Sequence, residues 1–227
     1  MIMPTMMTPL NRVYKDIQED EAFSKLRSNS NFVPGRGNDI NSKIMIIGEA
    51  PGSVENEKGE PFVGPSGHLL DEWLNYGIFP LTNTFITNAI KYWPHNDGKT
   101  YLPVQFAEIC RMYLEREWEA IGRPPHIITL GAFASYVMRM PTHYKITKVV
   151  SKSIFFLVTK TYCCGKISVH ECRDFERLFD PGDKEEKLLY YLHPSFHPSY
   201  VLRNPSLRPY ALSYWGSLGY RCRTSYF

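Results

Sequence analysis

The sequence predicts an α/β protein, a three-layer α/β/α sandwich around a central, mostly parallel four-stranded sheet. Short apolar runs at 43–48 (KIMIIG), 84–90 (TFITNAI), 124–131 (PPHIITLG) and 187–192 (KLLYYL) read as strands, and segments of helical spacing separate them. The length of 227 residues suits one domain, with 43% hydrophobic and 22% charged residues, enough apolar material for a proper core. We therefore expect a single domain over 1–227, with a helical N-terminal extension at 1–40 and an inserted hairpin or loop elaboration at 140–186.

The elements follow in order. KIMIIG ends in glycine, and SGHLLDEWLNYG (66–77) continues as a helix opened by a serine cap, so a loop lies between strand and helix. TFITNAI is a second strand. Residues 102–121 form a long helix carrying Phe106, Ile109, Cys110, Tyr113, Leu114 and Trp118 on one side. A third strand, PPHIITLG, leads into the helix AFASYVMRM. From Lys145 to Val169 the chain turns β-branched and aromatic, which reads as a hairpin, and ERLFDPGDKEEK is an acidic surface turn. KLLYYL is the fourth core strand, and a last helix covers 206–219.

No run approaches the ~18 apolar residues of a membrane-spanning helix. The first twenty residues lack the basic and apolar blocks of a signal peptide, so an intracellular, nucleoid-associated location is expected. The five cysteines are odd in number and follow no small-scaffold pattern, which favours reduced thiols. Cys163, Cys164, His170 and Cys172 form a weak zinc set, because adjacent cysteines are not the usual ligand spacing. A net charge of +3 decides little, but no Asp or Glu occurs from Leu188 onward, while Arg203, Arg208, Arg221 and Arg223 do, among many tyrosines. Such a surface suits a phosphate backbone and exposed bases.

In an open parallel sheet, loops leaving the carboxyl ends of the strands build the site. Here those loops hold the unusual residues. GEAPGSVENEKGEPFVG (48–64) places the carboxylate Glu49 between glycines and proline, which set a tight backbone path, with Phe62 following. Asn88 ends the second strand, and His197 lies in HPSFHPSYVLRNP. A carboxylate can hold a water or balance a cation, an aromatic ring can stack on a planar ring, and an amide matches the mixed edge of a pyrimidine. A histidine can stabilise a departing anion. Together they describe cleavage of a bond to a heterocycle. No GxxxxGK[ST] occurs, which excludes a P-loop nucleotidase.

The segments GEAPGSVENEKGEPFVGPSGHLLD, ITNAIKYWP, AEICRMYLEREWEAIGRPPHIITLGAFA and FHPSYVLRNPSL occur in one order across 43–208, and with them the chain resembles the uracil-DNA glycosylase superfamily, in particular its family 4. The resemblance implies a uracil-DNA glycosylase-like sandwich and a monofunctional DNA glycosylase that flips a pyrimidine nucleotide out of the duplex and hydrolyses its N-glycosidic bond, leaving an abasic site. It implies Glu49 as the group that positions water or balances the cation, with Glu55 as a second carboxylate. Backbone at Ala50 and Gly52 would contact the base, Phe62 would stack on it, Asn88 would read its edge, and His197 would stabilise the leaving anion. Ser199, Val201, Leu202 and Arg203 match the loop that enters DNA, with Val201 or Leu202 as the wedge. His193, in the other HPS copy, lacks the VLRNP continuation and reads as structural.

Two departures qualify the resemblance. Family 4 enzymes typically bind a 4Fe–4S cluster through four cysteines, but residues 1–42 hold none and Tyr92 stands in the asparagine motif, leaving Cys110. One thiol cannot hold four irons, so no cluster, no metal and no other cofactor is expected, with aromatic packing around Tyr92 and Trp93 in its stead. The 140–186 insertion leaves open a bulkier substrate, such as hydroxymethylated or glucosylated cytosine in phage DNA, acted on in antiviral defence. A DNA-binding module of the same fold without catalysis is the third reading. The expected partner is DNA, single- or double-stranded, bound by a monomer away from membranes.

Overall fold

The structure is a computed structural model that describes residues 7–94, 104–151, 154–161, 166–172 and 186–224. The strands are β1 (Arg36–Gly37), β2 (Ile44–Gly48), β3 (Thr84–Asn88), β4 (His126–Leu130), β5 (Phe155–Thr161), β6 (Ile167–Cys172) and β7 (Glu186–Ser195). The helices are α1 (Pro9–Glu19), α2 (Ser24–Arg27), α3 (Ser53–Lys58), α4 (Pro65–Gly77), α5 (Val104–Ala120), α6 (Ala132–Val137), α7 (Ile146–Ser151), α8 (Pro198–Arg203) and α9 (Arg208–Thr224).

The expected four core strands are present and mutually parallel, in the order β3-β2-β4-β7. The sheet is wider than expected: β1 adds antiparallel to β3, and the β5–β6 hairpin adds antiparallel to β7, giving seven strands among the described residues. The described part of the 140–186 segment thus extends the sheet at one edge. Cys163, Cys164 and most of the acidic turn lie outside the described residues.

Alternation along the strands divides the interior into two cores, because successive side chains leave opposite faces. Met45 and Ile47 face α1, α5 and α6; Ile44 and Ile46 face α4, α8 and α9. This is the three-layer arrangement. Helix α1 joins the first core through Leu10, Val13, Tyr14 and Ile17, the i, i+3, i+4, i+7 stripe of an amphipathic helix. Trp73 of α4 and Trp215 of α9, both fully buried with ring centroids 5.5 Å apart, anchor the second.

Local details depart from the sequence reading. Helix α4 begins on Pro65 with Gly64 as its cap, not on a serine, since proline's fixed φ suits the first helical position. The segment 53–58, read as loop, is the helix α3. The segment 146–151, read as part of a hairpin, is α7: its β-branched residues favour a strand, but burial of Val149 and Val150 holds them helical.

His126 of β4 and His193 of β7 are fully buried, with His126 Nδ1 3.0 Å from His193 Nε2. Burial lowers the His126 pKa to about 4; burial, then His126 and the Arg221 guanidinium, push His193 well below its ordinary value. Both are neutral at pH 7. The unfolded chain protonates them near ~6.5, whereas folded His126 resists down to about 4 and folded His193 is likewise depressed. In that window the unfolded state holds more protons, so the stability they contribute is complete above the window and lost as pH falls through it. The urea midpoint should therefore be lower at pH 5 than at pH 7.5, and His193→Leu should shrink the difference; a pH-independent midpoint would contradict the assignment.

Candidate active site

Parallel register collects the site. Gly48 pairs with Asn88 across β2 and β3, and Leu130 pairs with Ser195 across β4 and β7, so four strand ends finish side by side. Asn88 ends β3, and Glu49, Gly131 and His197 occupy the turns that follow the other strands.

Gly48 sits where Asn88 and Phe62 converge. A Cβ there would lie 2.3 Å from Asn88 Oδ1 and 2.5 Å from Phe62 Cζ, so only glycine lets both reach the pocket. Phe62 itself has φ of 57°, a costly conformation for an aromatic residue. Glu55 holds that path in place. Its Oε1 accepts from the Val63 and Gly64 amides at 3.1 and 2.8 Å, and its Oε2 accepts from the Gly52 amide at 3.1 Å. Glu55 is therefore a strut inside the loop: both oxygens are committed to backbone, which corrects its expected role as a second catalytic carboxylate. The Gly52 amide, expected to contact the base, is committed to the same strut.

Asn88 is 2% exposed, and its Oδ1 has no hydrogen-bond partner among the described residues. Its backbone is clamped from behind. Lys91 Nζ donates to the Asn88 carbonyl at 2.6 Å, to Glu117 Oε2 at 2.6 Å and to Thr87 Oγ1 at 2.5 Å, so all three ammonium protons are used. Lys91 and Glu117 are 2% and 0% exposed. Sequence reasoning missed this pair; the signal was a lone charge, a lysine, within ITNAIKYW, facing a glutamate on the buried side of α5.

His197 caps α8. Its Nδ1 accepts from the Ser199 amide at 3.2 Å and lies 2.8 Å from Ser199 Oγ. Burial, then the nearby Arg203 charge, lower its pKa to about 4, with Glu55 opposing. The ring is neutral at pH 7, and because Nδ1 accepts from an amide, the proton resides on Nε2. Ser199, expected on DNA, orients the histidine. Gly131, at φ of 88°, passes close beneath, a Cβ there lying 3.1 Å from that of His197.

Glu49 stands at the solvent-facing mouth, yet surrounding protein desolvates its carboxylate and raises its pKa. Of the wedge candidates, Val201 is 1% exposed and packs in the second core, whereas Leu202 is 46% exposed. Val201 is thus structural. Arg203 lines the site. The other arginines of the basic C-terminal stretch are spent internally: Arg208 pairs with Glu72, Arg221 lies over Phe155, and Arg223 donates to the Gly77 carbonyl.

Two cavities meet at this edge. One of about 340 Å³ is lined by Gly52, Phe62 and Asn88; a larger one of about 700 Å³ is lined by Glu49, Trp93, Tyr144 and Tyr200; Ala50, Pro51, His197 and Ser199 border both.

The described residues do not fit an iron–sulfur cluster. Tyr92 is buried in an aromatic cluster, its ring 6.2 Å from Phe23 and 5.6 Å from Phe32, with Phe23 5.2 Å from Phe106. Cys110 is the single thiol there, and burial pushes its pKa up to about 12, far from the thiolate a cluster needs. Elsewhere, His126, His193 and Cys222 bring ligand atoms within 4.8 Å of one another, a buried set able to hold a metal ion, though two of its members are linked already as the histidine pair.

The sandwich thus sets a carboxylate, an orphaned amide and a neutral histidine at neighbouring strand ends. The profile described as "Uracil DNA glycosylase superfamily" matches residues 34–218, and the chain belongs to that superfamily. Within it, the chain is 32% identical to the Type-4 uracil-DNA glycosylase of Archaeoglobus fulgidus over 216 residues, 95% of this chain and 94% of that protein. It is also 32% identical to the Type-4 enzymes of Saccharolobus solfataricus, over 89% of this chain and 81% of that one, and Thermotoga maritima, over 78% and 74%.

The clamp behind Asn88 has a measurable consequence. Lys91→Met leaves the Glu117 carboxylate buried without its cation and should lower stability by about 3–5 kcal/mol. The double change Lys91→Met/Glu117→Leu should recover much of that in urea titration while base release stays depressed, because Asn88 has lost its anchor. Full activity in the double variant would remove the clamp from the site.

Proposed function

We propose that the chain is a monofunctional uracil-DNA glycosylase that flips a deoxyuridine from DNA and hydrolyses its N-glycosidic bond without a cofactor. The observation that carries this reading is the orphaned Asn88 Oδ1, buried at the floor of a pocket beside the Phe62 ring. A buried polar group without a partner costs stability, roughly 1–3 kcal/mol, and is retained where a ligand completes it. Uracil presents an N3–H donor next to a carbonyl acceptor, the complement of a side-chain amide. Cytosine presents an acceptor and an amino group instead.

The chemistry then follows from charge. As the C1′–N1 bond breaks, the electron pair goes to the base and the sugar becomes oxocarbenium-like. His197 Nε2–H donates to the oxygen on which negative charge grows, and being neutral it stabilises the anion without first protonating the base. Glu49, ionised, balances the cation and orients the water that adds to C1′; the water's proton leaves to the carboxylate or solvent. Phe62 holds the ring plane. Leu202, exposed beside the site, fills the gap left in the stack, and Arg203 meets phosphate.

The deciding experiment is mass spectrometry of bases released from uracil-containing oligonucleotides, ordinary DNA and DNA carrying hydroxymethylated or glucosylated pyrimidines. Free uracil is the expected product; release from the modified DNA alone would overturn the proposal in favour of a bulky-base enzyme. Glu49→Ala, Asn88→Ala and His197→Ala should each lower kcat by about 10²- to 10³-fold with the fold intact. Asn88→Asp should shift preference toward cytosine. Activity requires ionised Glu49, so kcat/KM should fall as pH drops through a value above the ordinary carboxylate ~4.3, and because His197 stays neutral to about 4, Glu49→Gln should abolish that acid limb.

A further inference from the structure

The pocket holding Phe62 and Asn88 suffices for a pyrimidine, and its sugar and the water belong at the Glu49 side of the larger cavity, which leaves the side lined by Trp93, Tyr144, Lys145 and Tyr200 without an occupant. At about 700 Å³ the larger cavity is twice the volume of the base pocket and opens into it past His197 and Ser199. Its walls come from three elements that the strand ends alone do not supply. Trp93 follows the β3 loop, Tyr144 and Lys145 precede α7, and Tyr200 and Arg203 belong to α8.

These side chains make a nucleotide site by their chemistry. Tyr200 is 39% exposed, its side chain braced by the Phe196 ring at 6.0 Å, so one face remains open. Tyr144 is braced by an edge contact with Phe156, centroids 5.1 Å apart at 71°, and presents its remaining surface to the cavity. Lys145 and Arg203 are exposed, and neither engages a carboxylate among the described residues. Aromatic faces with nearby cations are what an unstacked base and its phosphate require, whatever the base.

We propose that this side of the cavity is an accessory subsite for the nucleotide adjoining the excised one in the same strand. Its base leaves the stack and lies on Tyr200, while Lys145 and Arg203 meet the phosphate that joins the two nucleotides. The inference rests on the glycosylase reading and adds a preference: two neighbouring bases must be unstacked together, which costs least in single-stranded DNA. The 140–151 segment thereby acquires a role, since it carries Tyr144 and Lys145 to the rim.

The test measures kcat and KM for uracil release from single-stranded oligonucleotides with an ordinary neighbour, or with a baseless tetrahydrofuran residue on either side of the uridine. In the wild type, removing the neighbouring base on one side should raise KM by about 5- to 150-fold, the range of one lost base–aromatic stack, while kcat holds. Tyr200→Ala should raise KM equally on the ordinary substrate and should be indifferent to the baseless neighbour, whereas Tyr200→Phe keeps the wild-type pattern. Penalties from Tyr200→Ala and from the baseless residue that multiply, or a wild-type KM indifferent to both neighbours, would overturn the subsite while leaving the glycosylase intact. A wild type that releases no uracil from any strand would remove both.

Discussion

Parallel pairing in register is the constraint on which this site depends. Gly48 is opposite Asn88 and Leu130 opposite Ser195, so a carboxylate, an amide and an imidazole far apart in sequence emerge at one edge of the sheet. Because the strands are buried on both faces, a shift of one residue would turn Met45 and Ile47 into the wrong core, and the cores therefore hold the register. Site geometry is a by-product of packing that the protein cannot alter cheaply.

On that platform, local devices fix orientation. Glu55 ties the loop before and after Phe62, Lys91 ties the carbonyl of Asn88 to α5, and Ser199 fixes the tautomer of His197. Each uses a charged or strongly polar group on backbone, where a hydrogen bond is worth most, and each leaves the functional atom free. The strained Phe62 and the unpartnered Asn88 Oδ1 are tolerated because their surroundings over-determine them. Stability is given up at these positions, and the buried tryptophan pair and aromatic clusters offset it elsewhere.

The aromatic cluster around Tyr92 shows a second solution to a structural need. In a family 4 pattern with all its cysteines, a metal cluster would crosslink this region. Here Phe23, Phe32, Phe106 and Tyr113 fill the same neighbourhood with edge-on and tilted ring contacts, and the buried Lys91–Glu117 pair lies next to Cys110. Apolar burial and one satisfied ion pair do the holding.

The amino-acid sequence by itself determined the sandwich, its four parallel strands and the residues at their ends, because apolar runs, turn glycines and motif order are local properties that survive without coordinates. It also determined the shortage of cysteines. Tertiary structure decided what local pattern cannot carry. Whether Val201 or Leu202 faces solvent depends on which side of α8 meets Trp215 and its neighbours. The commitment of Glu55 to backbone depends on a fold-back of the loop, and α7 is helical because burial overrode its β-branched residues. The Lys91–Glu117 clamp and the second cavity arise from elements separated by many residues, and only their packing brings the charges and rings into contact.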